Sequence, residues 1–417
     1  MISAFALLAM MIAAGVAFDY TMAARRQDKI NGIADAAALA AVTSTMMQQS
    51  AATAQTRAQN VFVSQLATVS GVTYSLSNVS VTATDSTSGT KITRTAVVTY
   101  TASSANTFAG LLGISTSTIH GTSTAVSGQA PKTDFYLLLD TSPSMEIAAT
   151  TAGINTMVAN TSAQGGCAFG CHQSNPAADN LGNPGGEDNY ALSRALGVTL
   201  RLDLVNAATQ NLMSIAPSTA SANNTTYRAA IYTMDYSVSQ LIGLTSNFTA
   251  AKSAAANIQP LEVYDNNCLT SSNCNQDEDS YLDNGLQTLN TAMPNPGQGT
   301  NNPGDTPQEV LFVVSDGVVD ELYNGSRTMD PINTLANWCS TIKARGIRIA
   351  FLYLTYNPLP TNAFYNQNIA PFQSQLSGVA QSCASTGLFF EVNTDGDISA
   401  AMTQVFQTAV QTSRLTQ

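Results

Sequence analysis

FYLLLDTSPS (135–144) is the stretch on which the fold of this chain turns. Five apolar residues, Phe135 to Leu139, run without a break. They end on a carboxylate and two hydroxyls at alternate positions, Asp140, Ser142 and Ser144. An apolar run with no polar alternation needs cover on both faces, as a strand inside a parallel sheet has. The residues that follow alternate between helical and strand patterns. Helices are predicted at 200–216, 246–258, 280–293, 331–345, 371–385 and 397–413. Strands are predicted at 227–234, 310–314, 347–354 and 388–392. That alternation predicts an α/β domain, a mostly parallel sheet with helices on both faces, over 133–417. Ligands of such sheets bind at the carboxyl ends of strands. Two polar clusters fall there: Asp140 to Ser144 after the first strand, and Ser315-Asp316-Gly317 after the strand at 310–314. Two carboxylates and two hydroxyls form an all-oxygen ligand set of the kind hard divalent cations prefer, Mg²⁺ (or Ca²⁺ or Mn²⁺). The plainer alternative is that Asp140 and Ser142 only cap a helix. An aspartyl nucleophile would need a second carboxylate at 142, where Ser stands. The chain has only 2 His, which leaves no Ser-His-Asp set, and no enzyme is expected.

Toward the N-terminus, GQAPK (128–132) reads as a linker. Residues 49–130 form a small α+β module, with a helix at 50–69 and alternating strands at 75–85, 91–103 and 115–127. Before it, residues 1–48 read as one long Ala-rich helix that begins with an uncharged run, Ile2 to Phe18. That run spans about 26 Å as a helix, and continuing it to Ala24 covers a hydrocarbon core of ~30 Å. No basic residue precedes the run and no helix break follows it, which favours a retained anchor over a cleaved leader. The absence of a basic flank would fit a start upstream of Met1. Asp19 ends the apolar run, and Arg25 and Arg26 follow. Two readings of Asp19 stay open: hydration at the headgroup level, or pairing with Arg25 or Arg26 of a neighbouring chain.

Charged residues make up only 10% of the 417 residues, with 16 Lys plus Arg against 27 Asp plus Glu and a net charge of −11. That shortage of basic groups excludes a phosphate-binding surface, so no nucleic-acid partner is expected. At 44% hydrophobic residues the chain can fill sizeable cores. The six cysteines form three local couples, Cys167/Cys171, Cys268/Cys274 and Cys339/Cys383. Disulfides in an oxidising compartment are expected from them. This outweighs the basic residues beyond the span, which alone would place that side in the cytoplasm. Cys167 and Cys171, four apart, would close a disulfide on a helix; haem or zinc with His172, or free thiols, are the alternatives. The run Asp277-Glu278-Asp279 reads as a solvated loop face, with a calcium role as the alternative. Asp397 reads as a helix N-cap.

Asp140-x-Ser142-x-Ser144 after a buried strand, with Ser315-Asp316-Gly317 after another, resembles the von Willebrand factor A domain and its metal-ion-dependent adhesion site. The resemblance covers about residues 133–410, with insertions at 146–190 and 260–279 on the metal face. It implies that Asp140, Ser142, Ser144 and Asp316 hold the metal. It also implies that Ser280 stands where the family has a Thr before a helix, with Asp277 or Asp279 as substitutes. The N-terminal segment is similar to TadE/TadG-like proteins of Flp (Tad) pilus assembly. The matching residues are Ala17-Phe18-Asp19-Tyr20, Arg25-Arg26-Gln27 and the run Ala34 to Ala41. Anchor and domain together look like the TadG-like subfamily. This implies a single-pass inner-membrane protein whose large C-terminal part is periplasmic or extracellular. It would bind protein partners of a pilus-assembly machine through the metal site. The alternative is a surface or envelope adhesin that uses the same site on an external ligand.

Overall fold

The structure, a computed structural model, describes residues 2–179, 181–263, 279–333, 336–360, 362–393 and 395–410; the side chains of 2–6, 8, 9, 178 and 179 are outside the description. The chain divides into two compact units. One is Met1–Pro131 with Thr300–Asp305, and the other is formed by Lys132–Gly299 and Thr306–Gln411.

The first unit holds both the N-terminal helix and the strand-rich module, between which the sequence reading sets a boundary at residue 48. Helix α1 (Ile2–Ala41) is continuous because Ala-rich sequence without Pro favours helix throughout. Its C-terminal half buries Ile30, Ala34, Ala37, Ala38 and Ala41, a stripe at helical spacing whose small side chains permit close packing. Ser50 caps α2 (Ala51–Leu66) by accepting from the Thr53 N–H, and α2 buries Ala54, Ala58, Phe62 and Leu66. Both helices cover one face of an antiparallel sheet in which β2 (Lys91–Ala105) pairs with β1 (Val79–Ser88) and β3 (Thr116–Gln129). Buried residues alternate along β2, as half-buried strands require. Arg94 is also buried and fully used: it binds Asp85 at 2.7 Å and the carbonyls of Met46 and Gln49.

The second unit is a six-stranded sheet. In sequence order its strands are β4 (Thr133–Asp140), β5 (Tyr227–Met234), β6 (Val238–Thr245), β7 (Gln308–Ser315), β10 (Arg348–Leu354) and β11 (Phe389–Val392). Their spatial order is β11-β10-β7-β4-β5-β6. All neighbours are parallel except the edge strand β6, which returns from β5 as a hairpin. The fold class expected for this part, a mostly parallel sheet with helices on both faces, is therefore observed. Every residue of β4 is buried because its two faces feed two cores. Phe135, Leu137 and Leu139 pack with Val205 and Leu212 of α3 (Arg201–Ala222) and with Phe406 of α8 (Ile398–Val410). Tyr136 and Leu138 pack with Leu286 and Leu289 of α5 (Leu282–Ala292) and with Ile342 of α6 (Trp338–Ala344). Helix α4 (Phe248–Ala255) follows β6, and α7 (Gln373–Cys383) follows β10.

Three local expectations differ from the structure. The helix expected over 331–345 is only Trp338–Ala344, because β8 (Val318–Tyr323) and β9 (Ser326–Pro331) form a hairpin before it. Asn324 and Gly325 both adopt positive φ there, 52° and 79°, as a two-residue hairpin turn demands. Helix α3, expected to stop at Ala216, runs through Pro217 to Ala222 because Ala216 and Ala220 are held in the core. Residues 165–171, which carry the cysteine couple, are not helical.

Candidate metal centre

Parallel register places the ends of β4 and β7 side by side: Val314 pairs with Leu139, so Asp140 and Ser315 are neighbours. The backbone then leaves each strand in a way that turns side chains inward. After β4, Ser142 donates both its N–H (2.9 Å) and its hydroxyl (2.5 Å) to Asp140 Oδ1. After β7, the Ser315 hydroxyl donates to Asp140 Oδ2 at 2.6 Å and accepts from the Gly317 N–H at 2.9 Å. Gly317 has φ +76°, which an L side chain rarely adopts, so the tight turn depends on glycine. The Ser142 and Ser144 hydroxyls are 3.1 Å apart, and Ser144 lies close enough to Asp316 to oppose the rise in its proton affinity. Four of the five expected ligands, Asp140, Ser142, Ser144 and Asp316, therefore come together. Asp140, Ser142 and Asp316 are almost fully buried.

Ser280 is not joined to this group. Its hydroxyl donates to the Val318 carbonyl at 2.7 Å, and its backbone forms a bridge with Asp320. The helix that Ser280 precedes is pinned to β8 by these contacts. Of its named substitutes, Asp277 lies outside the described residues, and Asp279 lies close enough to Glu146 to influence it. The sequence reading missed Arg201. At the first turn of α3 its Nη2 donates to the Thr355 carbonyl, and its Nη1 lies 3.7 Å from Asp316 Oδ2. Nothing in the sequence around Arg201 shows that this helix begins beneath Asp316.

Burial raises the proton affinity of both carboxyls, and Asp140 is raised further by the charge of Asp316. Arg201 opposes the effect on Asp316. A bound cation would favour the ionised form of both carboxyls and offset the cost of their burial. Asp316 Oδ2 is buried and accepts no hydrogen bond. A hard cation or its water would satisfy that oxygen, so the donor chemistry fits the implied metal. Among the described residues no three His, Cys, Asp or Glu side chains converge.

Both insertions reach this end of the sheet. Leu261 N–H donates to the Thr141 carbonyl, and His172–Gln173 pairs in parallel with Glu262–Val263. Cys167 and Cys171 are not bonded to each other. The disulfide expected from helical spacing fails because the Cys167 N–H is held by the Thr161 hydroxyl in a non-helical turn, and its thiol faces the Phe169 carbonyl. The His172 Nδ1 is hydrogen-bonded to the Asp188 carboxylate at 2.8 Å. Cys268 and Cys274 lie outside the described residues. Cys339 and Cys383 are bonded as expected. Asp397 caps α8 through the Ala400 N–H. The Asp19 carboxylate accepts backbone N–H groups of residues 107–109, partners the sequence reading did not foresee. Arg26 donates to Ser104 Oγ and the Ala105 carbonyl, and Arg25 is exposed.

Among the described residues no helix is long and apolar enough to cross a membrane; residues 1–6, 8 and 9, the start of the expected span, are not among those with described side chains. No family model matches the chain, and no curated protein matches it. Three of the solved structures to which it is similar illustrate the range. The conserved hypothetical protein BatB from Bacteroides thetaiotaomicron is 10% identical, with 67% of this chain and all (100%) of that one covered and a TM-score of 0.36. The vWF domain of the type V pili tip protein Mfa5 from Porphyromonas gingivalis is 12% identical, with coverage of 69% and 98% and a TM-score of 0.38. Proximal thread matrix protein 1 from the mussel byssus, whose MIDAS motif is occupied by zinc, is 14% identical, with coverage of 67% and 46% and a TM-score of 0.34. At TM-scores this low the likeness adds nothing to the architecture, which rests on the strand order and register.

Proposed function

We propose that this chain is a membrane-anchored, non-enzymatic component of Tad/Flp pilus assembly, with a TadG-like anchor and a von Willebrand factor A domain. The domain binds protein partners through a divalent cation. One observation carries the metal reading: a buried carboxylate pair at adjacent parallel strand ends, flanked by two hydroxyls, with one Asp316 oxygen accepting no hydrogen bond. Asp140 orients Ser142 and Ser315, while Ser142, Ser144 and Asp316 turn oxygens toward the cation. A bound Mg²⁺ (or Ca²⁺ or Mn²⁺) supplies an open coordination position for a carboxylate of the partner. The α1 sequence supports inner-membrane anchoring, with the rest of the chain periplasmic or extracellular.

Isothermal titration of the whole protein with Mg²⁺ and Mn²⁺ tests the site. Wild type binds one equivalent, and its Tm rises with metal concentration, by the equivalent of about 2.7 kcal/mol at 100 times Kd. Asp140→Ala and Asp316→Ala lose both effects, and Ser280→Ala keeps them. Equal metal binding by wild type and Asp140→Ala would overturn the reading.

A further inference from the structure

Helix α1 is bare along most of its apolar run. Among residues 10–22 only Gly15 and Asp19 are buried, and Met10, Met11 and Tyr20 are each more than half exposed. What covers Gly15 and Asp19 is the turn that follows β2. The Asp19 carboxylate accepts three backbone N–H groups: Thr107 on Oδ1 at 2.8 Å, and Phe108 and Ala109 on Oδ2 at 2.8 and 2.7 Å. Phe108 lies against Gly15, where an added Cβ would come within 2.6 Å of it. The rings of Phe108 and Phe18 meet edge to face at 5.8 Å. The turn is therefore fixed to the helix inside the apolar run, one helical turn short of Asp19.

The chain then leaves the helix and displays Leu111, Leu112 and Ile114, exposed by 85%, 53% and 57%. Three large aliphatic side chains within four residues carry an unused burial of about 1.5–3 kcal/mol each. No charged side chain occurs from 106 to 131. The basic groups stand on the other side of Asp19, where Arg26 binds Ser104 and Ala105 at the end of β2. The helix is thus apolar up to Asp19 and carries Arg25, Arg26, Asp28 and Lys29 beyond it, while the turn is apolar and uncharged. An aqueous protein surface gives no reason for that sorting, whereas the edge of a bilayer does.

We propose that the turn 108–114 is a second membrane contact. Leu111, Leu112 and Ile114 enter the phospholipid leaflet beside α1, and Asp19 locks the turn to the helix. The proposal rests on the reading of α1 as the anchor. The three backbone donors satisfy the Asp19 carboxylate, so helix and turn enter the interface without a bare charge. Insertion of the turn fixes the depth and tilt of the emerging helix, which a single span alone leaves loose.

The test uses the full chain in phosphatidylcholine–phosphatidylglycerol vesicles. A small fluorescent amino acid is placed, in separate proteins, at the positions of Met10, Leu111 and Val126. Quenching by a spin-labelled phospholipid is compared with quenching by aqueous iodide. The expected result is that positions 10 and 111 are quenched several-fold more by the lipid label than by iodide, and position 126 the reverse. Asp19→Ala should open position 111 to iodide and leave position 10 unchanged. Lipid quenching at 10 with iodide quenching at 111 overturns the proposal and leaves the anchor standing. Iodide quenching at 10 overturns the anchor and the proposal together. Shielding of 111 from both quenchers means a protein covers the turn, and that also overturns the proposal.

Discussion

Glu309 and Asp316 occupy opposite ends of β7, and their charges are met differently. Asp316 has Arg201 beside it, whereas Glu309 is 1% exposed and neither of its carboxylate oxygens accepts a hydrogen bond. Its register neighbour on β4 is Asp134, whose carboxylate is taken by Arg228. Burial first, and Asp134 second, push Glu309 up to about 8. The folded state thus holds this proton more tightly than the unfolded chain does. The stabilisation is complete below the ordinary value of 4.5 and is lost as pH rises through about 8. Thermal unfolding should therefore show Tm falling between about pH 5 and pH 8.5 in wild type and falling less in Glu309→Gln. At the upper end the variant should be the more stable by about 1–2 kcal/mol, a figure reduced for solvent screening. Parallel pH profiles of the two proteins would refute the assignment. At this scale Asp140, Ser142, Ser144 and Asp316 were legible because spacing and strand-end position are local properties. Arg201 and Glu309 were not, because their partners come from distant segments.

Among elements, the bond between Cys339 and Cys383 ties α6 to the end of α7, closing a loop of 44 residues in sequence separation. Both cysteines are buried in the core on the α5 side of the sheet. Constraint of the unfolded chain over such a loop is worth about 4 kcal/mol. Chemical denaturation of a Cys339→Ala/Cys383→Ala protein should show a loss of that order. Oxidised wild type should also lose stability on adding reductant, and the variant should not. A variant as stable as oxidised wild type would show the bond to be idle. The cysteine couples also show where spacing informs and where it misleads. Cys339 and Cys383 meet because both helices turn their cysteines into the same core. Cys167 and Cys171 have helical spacing, but two glycines at positive φ, Gly165 and Gly166, precede them and a turn replaces the helix. The β8–β9 hairpin was signalled by Asn324-Gly325, yet the flanking acids Asp320 and Glu321 obscured the strand pattern. Asp320 is accommodated by pairing with Arg327.

For the molecule as a whole, the shortage of charge and the uncharged N-terminal run make one prediction. After cell fractionation the full chain should stay with the inner membrane through high salt and alkaline carbonate and leave it only in detergent. A chain lacking residues 2–18 should be released without detergent. Release of the full chain by carbonate would sink the anchor, and recovery in the medium would favour the adhesin. The sequence by itself determined the alternation of strands and helices, the position of the metal-type oxygens at two strand ends, and the apolar run that begins α1. Each of these is a pattern along a few consecutive residues, set by the period of strand or helix and by side-chain polarity. Only the tertiary structure decided that β4 and β7 are neighbours, that Arg201 lies beside Asp316, and that Asp19 binds a turn 88 residues away in sequence. Those outcomes depend on which buried polar groups find partners when distant segments pack, and short-range pattern carries no record of that.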